Sequence, residues 1–234
     1  MEELKPYTIS NSIKNAPTVL LTEEGKNYTL WSPISEDLKI IHYLREYCFA
    51  HFKMKSFDTA RFSYKGQNYL CIEEEEATIE FDEWQVYLWE SKRKFNQFLK
   101  PSALFVSFLF DTFFPLYGGR NTVLIVPGKK NSFKIHPVPA NNYESFKFSP
   151  LNFSQSGLNI PSVKQFFAYQ KADLEVNLEE FLALNDERFQ VNLKHQLSLF
   201  PSKRNAYWDE LKKCFDPEFL KYTTALFKDY ILHL

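Results

Sequence analysis

The sequence carries almost no net charge, few cysteines and no long apolar run, and each of these absences closes off a class of function. With 28 Lys and Arg against 29 Asp and Glu, the formal charge is -1, so no global field recruits nucleic acid or an anionic membrane surface. Cys48, Cys71 and Cys214 are odd in number, far apart and without CxxC spacing, which points to neither a disulfide framework nor a zinc site. No stretch reaches the length needed to span a bilayer. The opening MEELKPYTIS lacks the basic and then apolar order of a signal peptide. A soluble, cytoplasmic protein is the expectation. Also missing are GxSxG, HExxH, the P-loop pattern and GxGxxG, so hydrolase, zinc-protease, P-loop and dinucleotide chemistry have no motif behind them. Glu179-Glu180 and the run Glu73 to Glu76 are adjacent carboxylates rather than a spaced acid and base.

What the chain does have is apolar and aromatic bulk. Its 234 residues are 44% hydrophobic and 18% aromatic, with 24 Phe and 13 Tyr. That is enough for one large domain or two unequal lobes around a substantial core. Packing is the favoured reading of the aromatic excess, ahead of base stacking.

The stretch Ala103 to Ala140 organises the rest. Residues 103 to 114 are apolar on every face except at Ser107, Asp111 and Thr112, the pattern of a helix buried inside a domain. Pro115, Gly118 and Gly119 stop it, and TVLIV and SFKIHPV then read as short strands around the turn PGKKN. Upstream, TVLL and YTLW flank a turn at Gly25, an opening hairpin. Ser35 is placed to cap a helix, with Glu36 and Asp37 in its first turn and Leu38, Ile41, Leu44, Cys48 and Phe52 at helical spacing. FDTARFSY and YLCIE form a second hairpin. Trp84, Leu88, Phe95 and Leu99 mark a further amphipathic helix leading into the central one.

Beyond the central hairpin, residues 136 to 162 are rich in Pro, Asn and Ser and have no sustained period. Segments of that length are usually functional or mobile. This one carries Tyr143, Phe146, Phe148 and Phe153, too many aromatics for a solvated linker, which makes them candidate partner-binding residues. From Ser162 onward the pattern is helical. Asn177 with Glu180 suggests a capping box, Phe189, Leu193, Leu197 and Phe200 share a face, and Asp216-Pro217 opens a last helix carrying Leu220, Thr223, Phe227, Tyr230 and Leu234.

Asp111, the triplet Arg120-Asn121-Thr122 and the LIV that follows resemble the catalytic segment of the HipA-like kinase family. That family's pattern is a buried helix ending in an Asp-bearing turn, a loop with aspartate and arginine, an RN-type pair with a second asparagine, then two short strands, the second ending in Ile-Asp-His-Gly. Pro17 to Glu73 is similar to its small lobe segment by segment, with Glu73 to Glu76 standing where the hinge falls or, equally, in a plain solvated loop. The resemblance implies an α+β, two-lobed protein-kinase-like fold. Its small β-rich N-terminal lobe would span 1 to 76, and its larger helical C-terminal lobe 77 to 234, with the hairpin at 121 to 138.

It also says where catalysis should sit. Phosphoryl transfer needs a strand lysine, a helix glutamate, a loop aspartate, and Asn and Asp ligands for magnesium. The matching positions hold Trp31, the neighbourhood of His42, Tyr117 or Gly118, Val123 and His136. None supplies the group required, since magnesium prefers oxygen ligands. The expectation is a catalytically degenerate member, a pseudokinase acting as a protein-binding or regulatory module without cofactor. One alternative is an active ATP- and magnesium-dependent serine/threonine kinase with relocated residues, for which Asp111, Asn121 and His136 are the candidates. Another is a companion or inhibitor of a HipA-like toxin kinase in a toxin-antitoxin setting. Plainer readings compete: Asp111 capping backbone or pairing with Arg120, His136 as a structural histidine, and Lys129-Lys130 and Lys92-Arg93-Lys94 as solvated surface.

Overall fold

The computed structural model describes residues 20–23, 26–33, 35–56, 59–64, 67–73, 79–80, 101–115, 123–125, 133–135, 148 and 157–234. The expected opening hairpin forms from β1 (Leu20–Glu23) and β2 (Lys26–Pro33), and the second from β3 (Thr59–Tyr64) and β4 (Gln67–Glu73). The two join as an antiparallel sheet in the order β1-β2-β4-β3. A second, separate antiparallel sheet has the order β5-β6-β7, from Ile79–Glu80, Val123–Ile125 and Phe133–Ile135. The central hairpin is thus not continuous with the strands of the N-terminal sheet.

Between the two N-terminal hairpins runs α1 (Glu36–His51). Ser35 caps it, its hydroxyl accepting from the Leu38 amide at 3.1 Å, and Glu36 and Asp37 sit against the positive end of the helix. The far end closes with a Schellman arrangement. Met54 N–H reaches Phe49 O at 2.8 Å, and Lys53 N–H reaches Ala50 O at 3.3 Å. Lys53 itself is left-handed, with φ 55°, the conformation that this terminator demands and that glycine adopts most easily. The apolar stripe of α1 is buried as its spacing predicts, but so are His42 and Arg45. The helix is therefore enclosed on more than one side.

The central helix is α2 (Pro101–Phe113). Leu104, Phe105, Phe108, Leu109, Phe110, Phe113 and the following Phe114 are buried. Its two buried hydroxyls are accommodated locally: Ser107 Oγ donates to Leu104 O at 2.6 Å and Thr112 Oγ1 to Phe108 O at 2.8 Å. Back-bonding to the preceding turn satisfies a buried hydroxyl without any outside partner. Among the described residues, five α-helices follow: α3 (Pro161–Ala168), α4 (Lys171–Leu184), α5 (Glu187–Gln196), α6 (Arg204–Leu211) and α7 (Pro217–Leu232). Asp216 caps α7 with Pro217 at its first position, as expected. The capping box expected at Asn177 does not start a helix. α4 already begins at Lys171, and Asn177 Nδ2 donates back to Asp173 O at 2.6 Å.

One apolar cluster takes residues from α1, α2 and the helices after it. Phe52, just past α1, stacks on Phe181 of α4 with centroids 4.4 Å apart and meets Phe189 of α5 edge-on at 5.2 Å. Phe113 of α2 stacks on Phe227 of α7 at 6.0 Å, and Phe105 meets the same ring edge-on at 5.7 Å. Such ring pairs each add about 0.5–1.5 kcal/mol beyond the area they bury. The aromatic richness is used for packing throughout this cluster. Within the described residues, no helix is long and apolar enough to cross a membrane.

Candidate functional site

Two regions have the makings of a site: the end of the central hairpin, and the polar side chains that α1 directs at its neighbours. In the hairpin, β6 and β7 pair with Val123 opposite Ile135, Leu124 opposite Lys134 and Ile125 opposite Phe133. Val123 opens one strand and Ile135 closes the other. Position 123 and the last residue of β7 therefore belong to the same end of the hairpin. β5 pairs with the other edge of β6, Ile79 opposite Ile125 and Glu80 opposite Leu124, which leaves β6 central. Asp111 stands half-buried in the last turn of α2. Asn121, His136, Tyr143, Phe146 and Phe153 lie outside the described residues, as do Tyr117, Gly118, Arg120 and the helix expected around Trp84 to Leu99.

In the first sheet, the β2–β4 register runs Leu30 opposite Cys71 and then Ser32 opposite Leu70. Trp31 is the extra residue of a bulge. A bulge locally unpairs the strand and re-aims its residues, so the position at which a phosphate-binding lysine was sought is a break in the ladder.

α1 carries a polar group that the sequence pattern did not single out. Glu46 Oε1 lies 3.3 Å from Nε2 of His42 and accepts from Thr59 Oγ1 at 2.5 Å. Its side chain is 40% exposed while that of His42 is 3% exposed. A buried imidazole and a strand hydroxyl therefore hold a carboxylate that still faces water. The i, i+4 spacing from His42 was the available signal, but only the approach of β3 gives it meaning. Arg45, fully buried, sets its guanidinium 4.9 Å from the centre of the Phe49 ring, a cation–π contact made in a desolvated setting.

Further contacts join α1 to the C-terminal helices. Tyr207 Oη donates to Asp37 Oδ1 at 2.7 Å, with Lys203 Nζ at 3.3 Å from the same oxygen. The Tyr43 hydroxyl donates to Gln196 Oε1 at 2.5 Å, and His51 Nε2 meets Leu184 O at 2.7 Å. Burial first, then the bond to Asp37 and the charges of Asp37 and Glu36, push the Tyr207 phenol far above its ordinary range. Burial likewise raises the Cys214 thiol, which makes it a poor nucleophile. Among the described residues, no three His, Cys, Asp or Glu side chains gather as a metal-holding group.

Phe148 is half-buried, its backbone N–H donating to Glu210 Oε2 at 2.7 Å and its ring edge-on to Phe219 at 5.3 Å. It is the one residue between 136 and 156 that is described.

Neither any family model nor any curated protein sequence matches the chain. Among solved structures, it is similar to the crystal structure of a Helicobacter pylori proinflammatory kinase, CtkA, with a TM-score of 0.55 and 12% sequence identity over 99% of this chain and 96% of that one. An identity so low speaks for the fold and not for the activity. Over nearly its whole length, the chain has a fold similar to that of a kinase structure.

Proposed function

We propose that the chain is a two-lobed kinase-like protein of HipA-like type, with lobes at 1–76 and 77–234, in which phosphoryl transfer has been lost and binding of another protein is the function. The observation that carries this reading is the register of the central hairpin. Val123 opens β6 opposite Ile135, at the position where the resemblance looks for the magnesium-binding asparagine, and in the sequence the aspartate expected after FKI is replaced by His136. Valine has no donor atom and histidine offers nitrogen where magnesium prefers oxygen. These residues do not fit a magnesium triphosphate site. Trp31 at the β2 bulge points the same way, since it stands where the resemblance looks for the strand lysine and carries no positive charge.

A thermal-shift titration with magnesium and ATP tests the loss. Saturation at one hundred times a dissociation constant would stabilise the native state by about 2.7 kcal/mol, and no such rise in melting temperature is expected. A magnesium-dependent rise, or label transfer to any substrate, would instead revive the active-kinase alternative, with Asp111, Asn121 and His136 as its candidate residues. On the binding side, the long segment after β7 supports the reading, with Tyr143, Phe146 and Phe153 as contact residues. A companion or inhibitor role toward a HipA-like toxin kinase is one form that such binding would take. Changing those three to Ser should abolish co-purification of the partner while leaving the melting temperature near that of the wild type. Collapse of the fold in that variant would show that the rings belong to the core.

A further inference from the structure

We propose that Glu210 and Phe219 form a receptor for Phe148, an anchor that fixes the chain after β7 to the helical core at that residue. Resting on the binding-module reading, this gives Phe148 a positioning part and leaves partner recognition to Tyr143, Phe146 and Phe153. The geometry is that of a fixed socket. One oxygen of Glu210 takes the Phe148 amide at 2.7 Å while the other is held by Lys213 Nζ at 2.8 Å. The carboxylate is thereby oriented from the turn that follows its own helix. On the neighbouring helix, Asp216 Oδ1 accepts from the amides of Glu218 and Phe219 at 3.0 and 3.1 Å, which pins the turn that presents the Phe219 ring. The Phe148 ring then meets that ring edge-on, with centroids 5.3 Å apart, and packs against the main apolar cluster.

The two halves of the anchor do different things. An amide donating to a carboxylate is a charge-assisted bond of short length, and because it uses backbone it fixes the path of the chain whatever the side chain. The ring contact selects an aromatic at that position. A side chain already half-buried against Phe219 has less surface to offer a partner, and a residue held in place before binding has less freedom left to lose.

Amide exchange at Phe148, followed by NMR on the isolated full-length protein labelled at phenylalanine, tests the anchor. Slow exchange is expected in the wild type. Glu210→Ala should speed it by about tenfold or more, the scale of a lost hydrogen bond to a charged group. Glu210→Gln, which keeps an acceptor oxygen, should fall between, and Phe219→Ala should also speed exchange. All three should melt cooperatively near the wild-type temperature. Phe148 exchange in the wild type as fast as in Glu210→Ala would overturn the proposal. So would loss of the cooperative melt in Glu210→Ala and Glu210→Gln alike, which would make Glu210 a part of the fold's stability and not a local anchor. The measurement needs neither partner nor nucleotide. If magnesium and ATP prove to bind while Phe148 exchange behaves as expected, the binding-module reading falls and the anchor stands.

Discussion

Phe52 is where α1 meets the C-terminal helices, and Phe52→Ala is the sharpest test of the single apolar cluster. The residue is 4% exposed. Its ring stacks on Phe181 at 4.4 Å and touches Phe189, Phe114 and Phe110 at 5.2, 5.5 and 6.0 Å. Truncating a buried phenylalanine removes its transfer free energy and leaves a cavity, together about 3–5 kcal/mol. These ring neighbours and the closed surroundings place this site toward the upper end. In a chain of this size, each kcal/mol moves the midpoint by about 2–4 °C, so the melting temperature should drop by roughly 6–20 °C. Urea unfolding followed by far-UV circular dichroism should show a lower midpoint with an unchanged slope, and Phe52→Leu, which keeps apolar bulk, should recover most of the loss. A change below about 1 kcal/mol would refute the reasoning. A two-step curve in which part of the helical signal is lost separately would do the same, because α1 would then not share the core of α4 and α5.

Tyr207→Phe should cost about 1–2 kcal/mol at pH 7 by deleting the hydroxyl that Asp37 accepts. The raised Tyr207 phenol also sets a sign for pH. The unfolded tyrosine gives up its proton near pH 10 while the folded one keeps it, so this stabilisation is complete below pH 10 and falls as pH rises above it. Urea midpoints at pH 8 and pH 11 should therefore differ less in Tyr207→Phe than in the wild type, and an equal difference would count against the contact. Lys53→Gly should raise stability by about 1 kcal/mol, because it removes the side-chain clash of the left-handed position that ends α1. A fall in the denaturation midpoint would mean that the Schellman geometry is wrong.

Local chemistry was readable in the sequence wherever one residue decides a local outcome. Ser35 and Asp216-Pro217 start helices because their oxygens and the fixed proline φ act within one turn. Asn177-x-x-Glu180 has the same letters but no break before it. Leu174, Leu178 and Phe181 carry one buried face straight through it, and tertiary burial overrides a cap pattern. The central hairpin was legible from its turn residues, and its register then brought Val123 and the end of β7 to one side. Glu46 was not legible, since its role comes from Thr59, which lies on another element and leaves no trace in the periodicity of α1. Nor did the spacing of α1 announce that His42 and Arg45 would be enclosed. A stripe read from one helix says which face is apolar, not how many neighbours will cover the others.

The contacts that hold α1 also set a schedule for folding during synthesis. His51 waits for Leu184, 133 residues later, Tyr43 for Gln196 at a separation of 153, and Asp37 for Tyr207 at 170. At roughly 5–20 residues per second, a ribosome needs about 7–27 s to make the shortest of these intervals. Through most of it, Phe52 has Phe110 and Phe114 but lacks Phe181 and Phe189. Closing loops of that length slows folding more than it weakens the final state. The nascent chain therefore presents a greasy, half-finished helix for seconds, a natural substrate for holdase chaperones, and shortening the chain anywhere before α6 would leave that helix stranded.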